Sequence, residues 1–406
     1  MSKETYYKTR ETCFFSNNNN GELTFYKNDV ELVNIDNSKM DIHLFKSNLK
    51  REIYNYMFPF DNIVVLAGAG ASIICNEDNL PDSNYGHTVN MLAQEINQVL
   101  KSNDEVYSVH DLATMCKYPV CIEIEGQFNP EFNLEDFLSK VITFEEFMIE
   151  SDEKLKYSKT KDEILRIIKN KTSYSFERSK HNHSSLIKTL SNIHKSPNRL
   201  SIVTTNYDTL FEDAACHLSF TVFDGFSFDS NRKFDIDLFD WSLVRPISNV
   251  KSDKLEYKKS SINLLKIHGS LDWTIKNDSV IRVDKLSNSE PIMIFPSSNK
   301  YSHSYEKPYF ELFSKFQELI KRPNTLLLSI GFSFADNHIA KMITQAVKTT
   351  PSLSLLISDY TIDNVNTNKN WDELKLLMND GYRVSFLKAT LGNDLLEYLG
   401  ESKNDD

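Results

Sequence analysis

The second half of the chain alternates between short apolar runs and segments with helical spacing of apolar residues, and this alternation restricts the fold most. The apolar runs predict strands at residues 200–206, 262–269, 291–298, 325–333, 353–358 and 382–389. The segments between and after them predict helices at residues 207–218, 308–321, 335–348, 371–380 and 393–400. This pattern predicts an α/β fold with a doubly wound parallel sheet, which binds ligands at the carboxyl ends of its strands.

The first half fits the same fold with two additions. A fully apolar run at residues 63–66 predicts one more buried parallel strand. Helical spacing recurs between residues 75 and 195, so we expect a mostly helical insertion there, inside a domain that spans residues 46–400. Residues 1–45 are polar, contain two weak strand-like patches, and are predicted to form an N-terminal extension, either an assembly arm or a small appended element.

The charge balance argues against some classes of partner. The chain of 406 residues carries 46 Lys and Arg against 57 Asp and Glu, a net charge of -11, so it has no general attraction to nucleic acid or to anionic membranes. No stretch approaches the roughly 18 apolar residues of a membrane span, and the first residues lack the apolar core of a signal peptide. We expect a soluble cytoplasmic protein without direct nucleic-acid or membrane binding.

Five cysteines, none in a CxxC pair, give the chain an odd number of thiols: Cys13, Cys75, Cys116, Cys121 and Cys216. A structural zinc site normally needs two such close pairs. We therefore expect free thiols in a reducing compartment and no bound metal.

Glycine is scarce, at eleven of 406 residues, so each glycine is expected where no other residue fits. Gly68 and Gly70 belong to the sequence GAGAS, which follows the first predicted strand directly. A strand, a glycine-rich turn and a helix N-terminus predict a turn whose backbone N–H groups face a diphosphate. The alternative is a tight turn that binds no ligand. A Walker loop is excluded because no GK[ST] follows.

Two further strand ends carry polar side chains at the same predicted edge. The sequence TTNYD places Thr205, Asn206 and Asp208 between a strand and a helix, where Asn206 or Asp208 could alternatively serve as a helix N-cap. His268 directly follows the apolar run LLKI and precedes Gly269. A histidine in this position is either part of a site or a structural residue with satisfied hydrogen bonds.

The last two strand ends of interest lie nearer the C-terminus. Gly331 and Ser333 end the strand of the sequence SIGFSFADNHI, and Asp336 is predicted to cap the helix after it. Asp359 follows the run LSLLIS, where it either bonds a nucleotide ribose or caps a loop.

In combination and order, these motifs resemble the sirtuin family, specifically the zinc-free sirtuin-like NADase branch of bacterial antiphage defence. The resemblance covers roughly residues 55–390 and rests on GAGAS at Gly68–Ser72, TTNYD at Thr204–Asp208, KIHG at Lys266–Gly269 and SIGFSFADNHI at Ser329–Ile339. The chain departs from the deacylases of that family, which carry four zinc-binding cysteines between the asparagine and C-terminal motifs, because no cysteine follows Cys216. Thr205 also replaces the usual glutamine.

The resemblance implies a Rossmann-like domain that cleaves NAD+ to nicotinamide and ADP-ribose without a metal, in antiviral defence by NAD+ depletion. It implies that Asn206 holds the ribose or the attacking water. Asp208 would contact the nicotinamide carboxamide or fix Asn206, and His268 would contact the ribose hydroxyls as general base. NAD+ would be held by a larger set of residues: Gly68, Ala69, Gly70 and Ser72 at the phosphates, Thr205 beside them, Gly331 and Ser333 at the adenosine, and Asp359 at its ribose.

The resemblance also implies partners. Unregulated NAD+ cleavage would kill the host, so we expect a homo-oligomer gated by a HerA-type ring ATPase, with residues 1–45 and 75–195 as candidate contact surfaces. Two other functions stay open from the sequence, namely an NAD-dependent protein deacylase and a non-catalytic sensor subunit that binds a nucleotide or ADP-ribose.

Overall fold

The computed structural model describes residues 2–19, 21–34, 36–75, 81–82, 84–129, 131–194, 199–247, 255–284, 292–293, 308–363 and 368–400. Within these ranges the strands are β1 Ser2–Lys8, β2 Cys13–Asn19, β3 Glu22–Lys27, β4 Val30–Glu31, β5 Asn62–Ala67, β6 Glu123–Ile124, β7 Gln127–Phe128, β8 Leu200–Thr204, β9 Thr221–Phe223, β10 Val244–Pro246, β11 Leu255–Tyr257, β12 Ser261–Lys266, β13 Gly269–Ser270, β14 Trp273–Lys276, β15 Ser279–Arg282, β16 Ile292–Met293, β17 Thr325–Ile330, β18 Leu353–Asp359 and β19 Val384–Lys388. The helices are α1 Ile42–Met57, α2 Val89–Lys101, α3 Val109–Met115, α4 Leu134–Glu146, α5 Asp152–Thr172, α6 His183–Ile193, α7 Leu210–His217, α8 Tyr309–Lys321, α9 Asn337–Thr349, α10 Lys369–Asn379 and α11 Leu395–Leu399.

One sheet organises the molecule. Its strand order is β4-β3-β2-β1-β19-β18-β17-β5-β8-β12-β9, and the strands from β19 to β9 in this order are parallel. From β12 to β19 the sheet follows the 3-2-1-4-5-6 order of Rossmann-like domains, in which the chain reverses its direction of travel between the first and fourth strands. The predicted α/β class and doubly wound parallel sheet are therefore confirmed, and the reversal lies between β5 and β17.

The apolar runs of the sequence correspond to strands that are buried on both faces. Every residue of β5 is buried, and its side chains alternate between two cores. Val65 and Ala67 pack with helices α1, α6, α7 and α11, whereas Val64 and Leu66 pack with α8, α9 and α10. Parallel strands covered on both faces need apolar residues at every position, which explains the absence of a polar–apolar alternation.

Helices α2 to α5, which lie between β5 and β8 in the chain, form a separate hydrophobic core. Phe137 and Tyr157 are fully buried in this core, and polar residues cap the helix starts, with Asn133 before α4 and Ser151 before α5. Helix α6 packs instead with the sheet, although it lies in the predicted insertion range. Tyr207, from the TTNYD sequence, packs against the helical core and so connects it to the sheet edge.

The N-terminal residues contain more strand than their polar sequence indicates. Strands β1 to β4 form an antiparallel meander, and β1 pairs with β19, so the meander extends the central sheet. A few buried aromatic residues anchor it to α1, with the rings of Phe14 and Phe25 centred 5.9 and 4.5 Å from that of Phe45. Helix α1 starts at Ile42 and spans the predicted boundary at residue 45. The domain boundaries and the assembly role stay predictions.

Three other expectations concern a predicted strand, the cysteines and membrane-spanning helices. The predicted strand at residues 291–298 lies outside the described residues except for β16. All five cysteines have free thiols. Among the residues that the structure describes, no helix combines the length and apolar character needed to cross a lipid bilayer.

Candidate functional site

The candidate site lies where β5 and β17 end side by side. These strands pair in register up to Ala67 and Ile330, so the loops that follow them leave the sheet together. The loops are bonded backbone to backbone: Gly68 N donates to Ile330 O at 3.0 Å, and Gly70 N donates to Gly331 O at 2.9 Å. These loops lie at the reversal point of the sheet, the place where open α/β sheets bind ligands.

The loops can make this contact because the residues that meet are glycines, which have no side chain. A Cβ atom on Gly331 would lie 2.5 Å from the carbonyl carbon of Gly70, and Gly331 also has a φ of +57°. A Cβ atom on Gly68 would lie 2.7 Å from Gly331 O. The N–H groups of Gly68 and Gly70 are already hydrogen-bonded to the end of β17 and the loop after it. No described residue accepts a hydrogen bond from the N–H of Ala69. The glycines thus have a packing role of their own. The prediction that a helix starts directly after GAGAS is wrong for the described residues, because Ala69–Ala71 form only one 3₁₀ turn and the next helix, α2, begins at Val89. Phosphate binding by this turn stays a prediction.

Four of the predicted residues are joined by direct hydrogen bonds. Asn206 Nδ2 donates to Gly68 O at 2.9 Å and to Ser72 Oγ at 2.8 Å, and Ser72 Oγ donates to Asp208 Oδ2 at 2.7 Å. Asp208 Oδ1 accepts from Leu210 N at 3.1 Å, but the N-cap residue of α7 is Thr209, so the alternative that Asn206 or Asp208 serves as the N-cap is wrong. Both hydrogens of the Asn206 amide are used, and no described residue donates to Asn206 Oδ1, which is left to accept from a ligand or water.

A buried lysine holds the backbone of this network. Lys266, the last residue of β12, is 1% exposed and directs Nζ at the carbonyl oxygens of Tyr207 (3.2 Å) and Asp208, and at Glu212 Oε1 (3.0 Å). Burial lowers the pKa of Lys266, but the negative charges of Glu212, Asp272 and Asp208 together outweigh burial and raise the pKa above its ordinary value. A charged lysine with three acceptors therefore fixes the turn that carries Asn206.

His268 is paired with an acidic residue from another loop. Its Nε2 lies 3.3 Å from Asp336 Oδ2, and both side chains are buried. Asp336 Oδ1 accepts from His338 N at 2.8 Å and from Ile339 N at 3.1 Å, which confirms the predicted cap of α9. Burial raises the pKa of Asp336, but the contact with His268 and the two backbone N–H groups outweigh it and lower it to about 2. The carboxylate is thus ionised beside the histidine.

The residues predicted for the nucleotide lie at the neighbouring strand ends. Asp359 ends β18. Burial raises the pKa of its carboxyl to about 6, although a hydrogen bond from the backbone N–H of Thr361 lowers it. Ser333 is exposed, and its Oγ accepts from Ala335 N at 3.3 Å. Thr205 N donates to Ala67 O at 3.1 Å, which ties the TTNYD turn to the end of β5.

Sequence reasoning missed the partners that support these residues. A lysine inside the apolar run LLKI was a usable signal, because a charge in a buried strand needs an acceptor. Glu212 and Asp336 gave no such signal. Glu212 has an ordinary amphipathic helix position, and the cap role of Asp336 already accounted for its presence.

Residues 200–379 match the model of the SIR2-like domain. The match supports a sirtuin-like family and includes TTNYD, KIHG and SIGFSFADNHI, whereas GAGAS precedes it. SIR2-like domains bind NAD+ and are generally found in NAD+-dependent enzymes. No curated protein matches the chain. Within the described ranges, no cluster of three or more His, Cys, Asp or Glu side chains is arranged to hold a metal ion.

Proposed function

We propose that the protein is an NAD+ glycohydrolase that cleaves NAD+ to nicotinamide and ADP-ribose. The observation that carries the proposal is the orientation of Asn206. Ser72 and Gly68 take both hydrogens of its amide, so Oδ1 is an oriented acceptor beside the loops at the reversal point of the sheet. An acceptor of this kind binds a ribose hydroxyl or an attacking water.

The reaction requires that the protein position the substrate and a water molecule and supply a base. When the bond between nicotinamide and ribose C1′ breaks, nicotinamide leaves as a neutral molecule with the bonding electrons, so leaving-group protonation is unnecessary. Water then bonds to C1′ and loses a proton, which His268 accepts. Asn206 Oδ1 holds the ribose or the water, and the turn bound to Gly331 receives the diphosphate.

Hydrolysis is favoured over protein deacylation by the sequence between the motifs. The resemblance places the zinc module of the deacylases after the TTNYD motif, and no cysteine follows Cys216. That module builds part of the peptide-binding cleft in the deacylases, so water is the expected acceptor of the ADP-ribosyl group here.

An NAD+ consumption assay with product analysis tests the proposal. We expect wild-type protein, assayed together with the gating ATPase proposed below, to release nicotinamide and ADP-ribose without an acylated peptide. Asn206→Ala and His268→Ala should each lose about 10²-fold or more in rate. Asn379→Ala and His217→Ala are matched controls, because both residues are exposed and lie outside the candidate site and the predicted partner surfaces. Nicotinamide release only with an acetylated peptide, or full activity of either site variant, would contradict the assignment.

We also propose that the activity serves antiphage defence and that a homo-oligomer with a HerA-type ring ATPase gates it. The resemblance of the motifs to the zinc-free branch supports this proposal. Sizing of the purified chain with and without such an ATPase, combined with NAD+ consumption by each species, tests it. A monomer with full activity in the absence of partner would refute the gating.

A further inference from the structure

We propose that Asp336 is a positioning residue for His268 that fixes the tautomer of the imidazole. Asp336 would hold the ring hydrogen on Nε2 and leave Nδ1 as the basic nitrogen. The kinetic consequence of this proposal rests on the proposed NAD+ cleavage, whereas the tautomer itself does not.

The two oxygens of Asp336 have separate partners. Oδ1 accepts from the N–H groups of His338 and Ile339, so the first turn of α9 fixes the carboxylate. Oδ2 remains and lies 3.3 Å from His268 Nε2. The side chains of Asp336 and His268 are only 7% and 9% exposed, so water competes little for this contact.

The chemistry of the pair sets the tautomer. An ionised carboxylate only accepts hydrogen bonds, so an imidazole nitrogen that faces it must carry the hydrogen. The other nitrogen of a neutral imidazole is then the acceptor. No described residue bonds to His268 Nδ1, so this nitrogen is available to take a proton from water or a ribose hydroxyl. The wrong tautomer would present a donor where the reaction needs a base.

The substitution Asp336→Asn separates this role from the capping role. Asparagine caps helices about as well as aspartate, so Oδ1 can still accept from the start of α9. Its amide nitrogen would face His268 Nε2 as a donor, which favours the tautomer with hydrogen on Nδ1. We expect kcat for NAD+ hydrolysis to fall about 10²-fold with KM within about twofold, since the change affects proton transfer rather than substrate binding. Asp336→Ser retains a cap without a group facing Nε2, and we expect a smaller loss.

Asp229→Asn is the matched control, because Asp229 is exposed and its Oδ1 also accepts from two backbone N–H groups, those of Asn231 and Arg232. It should leave kcat unchanged. A kcat of Asp336→Asn within about twofold of wild type would overturn the positioning role.

A spectroscopic measurement decides the tautomer without NAD+. Long-range ¹H–¹⁵N correlation spectra of ¹⁵N-histidine-labelled protein show which ring nitrogen carries hydrogen, and the His268→Ala spectrum assigns the signal. We expect hydrogen on Nε2 in wild type and on Nδ1 in Asp336→Asn. Hydrogen on Nδ1 in wild type would refute the proposal. If wild type cleaves no NAD+ but shows the expected tautomers, the proposed function fails while the Asp336–His268 assignment stands.

Discussion

The hydroxyl of Ser72 connects Asn206 to Asp208, so its removal tests whether this network is real. Ser72→Ala deletes two hydrogen bonds at a side chain that is 4% exposed. The bond to the Asp208 carboxylate is worth about 1.5–3 kcal/mol and the neutral bond from Asn206 about 1 kcal/mol. We therefore expect the free energy of unfolding to fall by about 3 kcal/mol.

A serine on the adjacent strand provides the control. Ser329 in β17 is fully buried, and its hydroxyl has no hydrogen-bond partner among the described residues. Ser329→Ala removes the same atom without breaking a bond, so it should leave the free energy of unfolding unchanged or raise it slightly.

Urea unfolding of both variants and wild type, followed by tryptophan fluorescence, gives the comparison. NAD+ consumption should fall in Ser72→Ala because the Asn206 amide loses one of its two acceptors and can rotate. If Ser72→Ala loses no more stability than Ser329→Ala, the network does not hold Asn206 in solution.

Two further predictions concern the neighbouring loops. Gly331→Ala should lower the free energy of unfolding by about 3 kcal/mol or more, because a left-handed φ costs a side chain about 1–2 kcal/mol and the new Cβ meets Gly70 at 2.5 Å. Gly21→Ala, with a φ of +91° and nothing within 4 Å, should show only the backbone cost in the same urea experiment, and equal losses would contradict the packing argument. The pKa of Asp336 is about 2 when folded and ordinarily 3.8, so the unfolded chain binds more protons as the pH falls. The stability from this group is present above pH 4 and lost toward pH 2, and the stability advantage of wild type over Asp336→Asn should shrink by about 2 kcal/mol between pH 5 and pH 2. Parallel curves of unfolding free energy against pH would refute the ionised pair.

The positions of the site residues were largely predictable, but their bonding was not. Parallel strands end at one edge, so polar residues after successive strands are neighbours whatever their separation in the chain. Asn206 and Ser72 were both placed at this edge by that argument. Which atom of Asn206 is left for a ligand depends on where Gly68 O and Ser72 Oγ point, and that follows only from the three-dimensional turn. The contact of His268 with Asp336 likewise joins the loops after β12 and β17. Sequence patterns do not predict how far each loop extends beyond the sheet edge, so they do not predict this contact.

The N-terminal meander shows a different limit. Strand prediction depends on apolar residues in alternation, and β2 ends in a run of asparagines with low strand propensity. Pairing of β1 with β19 and packing of Phe14 and Phe25 on α1 supply the stability that local sequence lacks. Tertiary contacts thus determine the structure of a segment whose own composition favours loops.

The glycines at the sheet edge show that a glycine-rich turn after a strand can serve loop packing as well as ligand binding. The pattern GAGAS suggested backbone N–H groups free to bind phosphate, yet the N–H groups of Gly68 and Gly70 bond to the loop after β17. The two loops can approach this closely only because glycines without side chains meet there, and Gly68 O also accepts the hydrogen bond that holds Asn206. The same atoms therefore serve the fold and the site. A substitution at Gly331 should for this reason weaken both NAD+ cleavage and stability. Ser333 is exposed, so its substitution should weaken NAD+ binding and leave the free energy of unfolding unchanged.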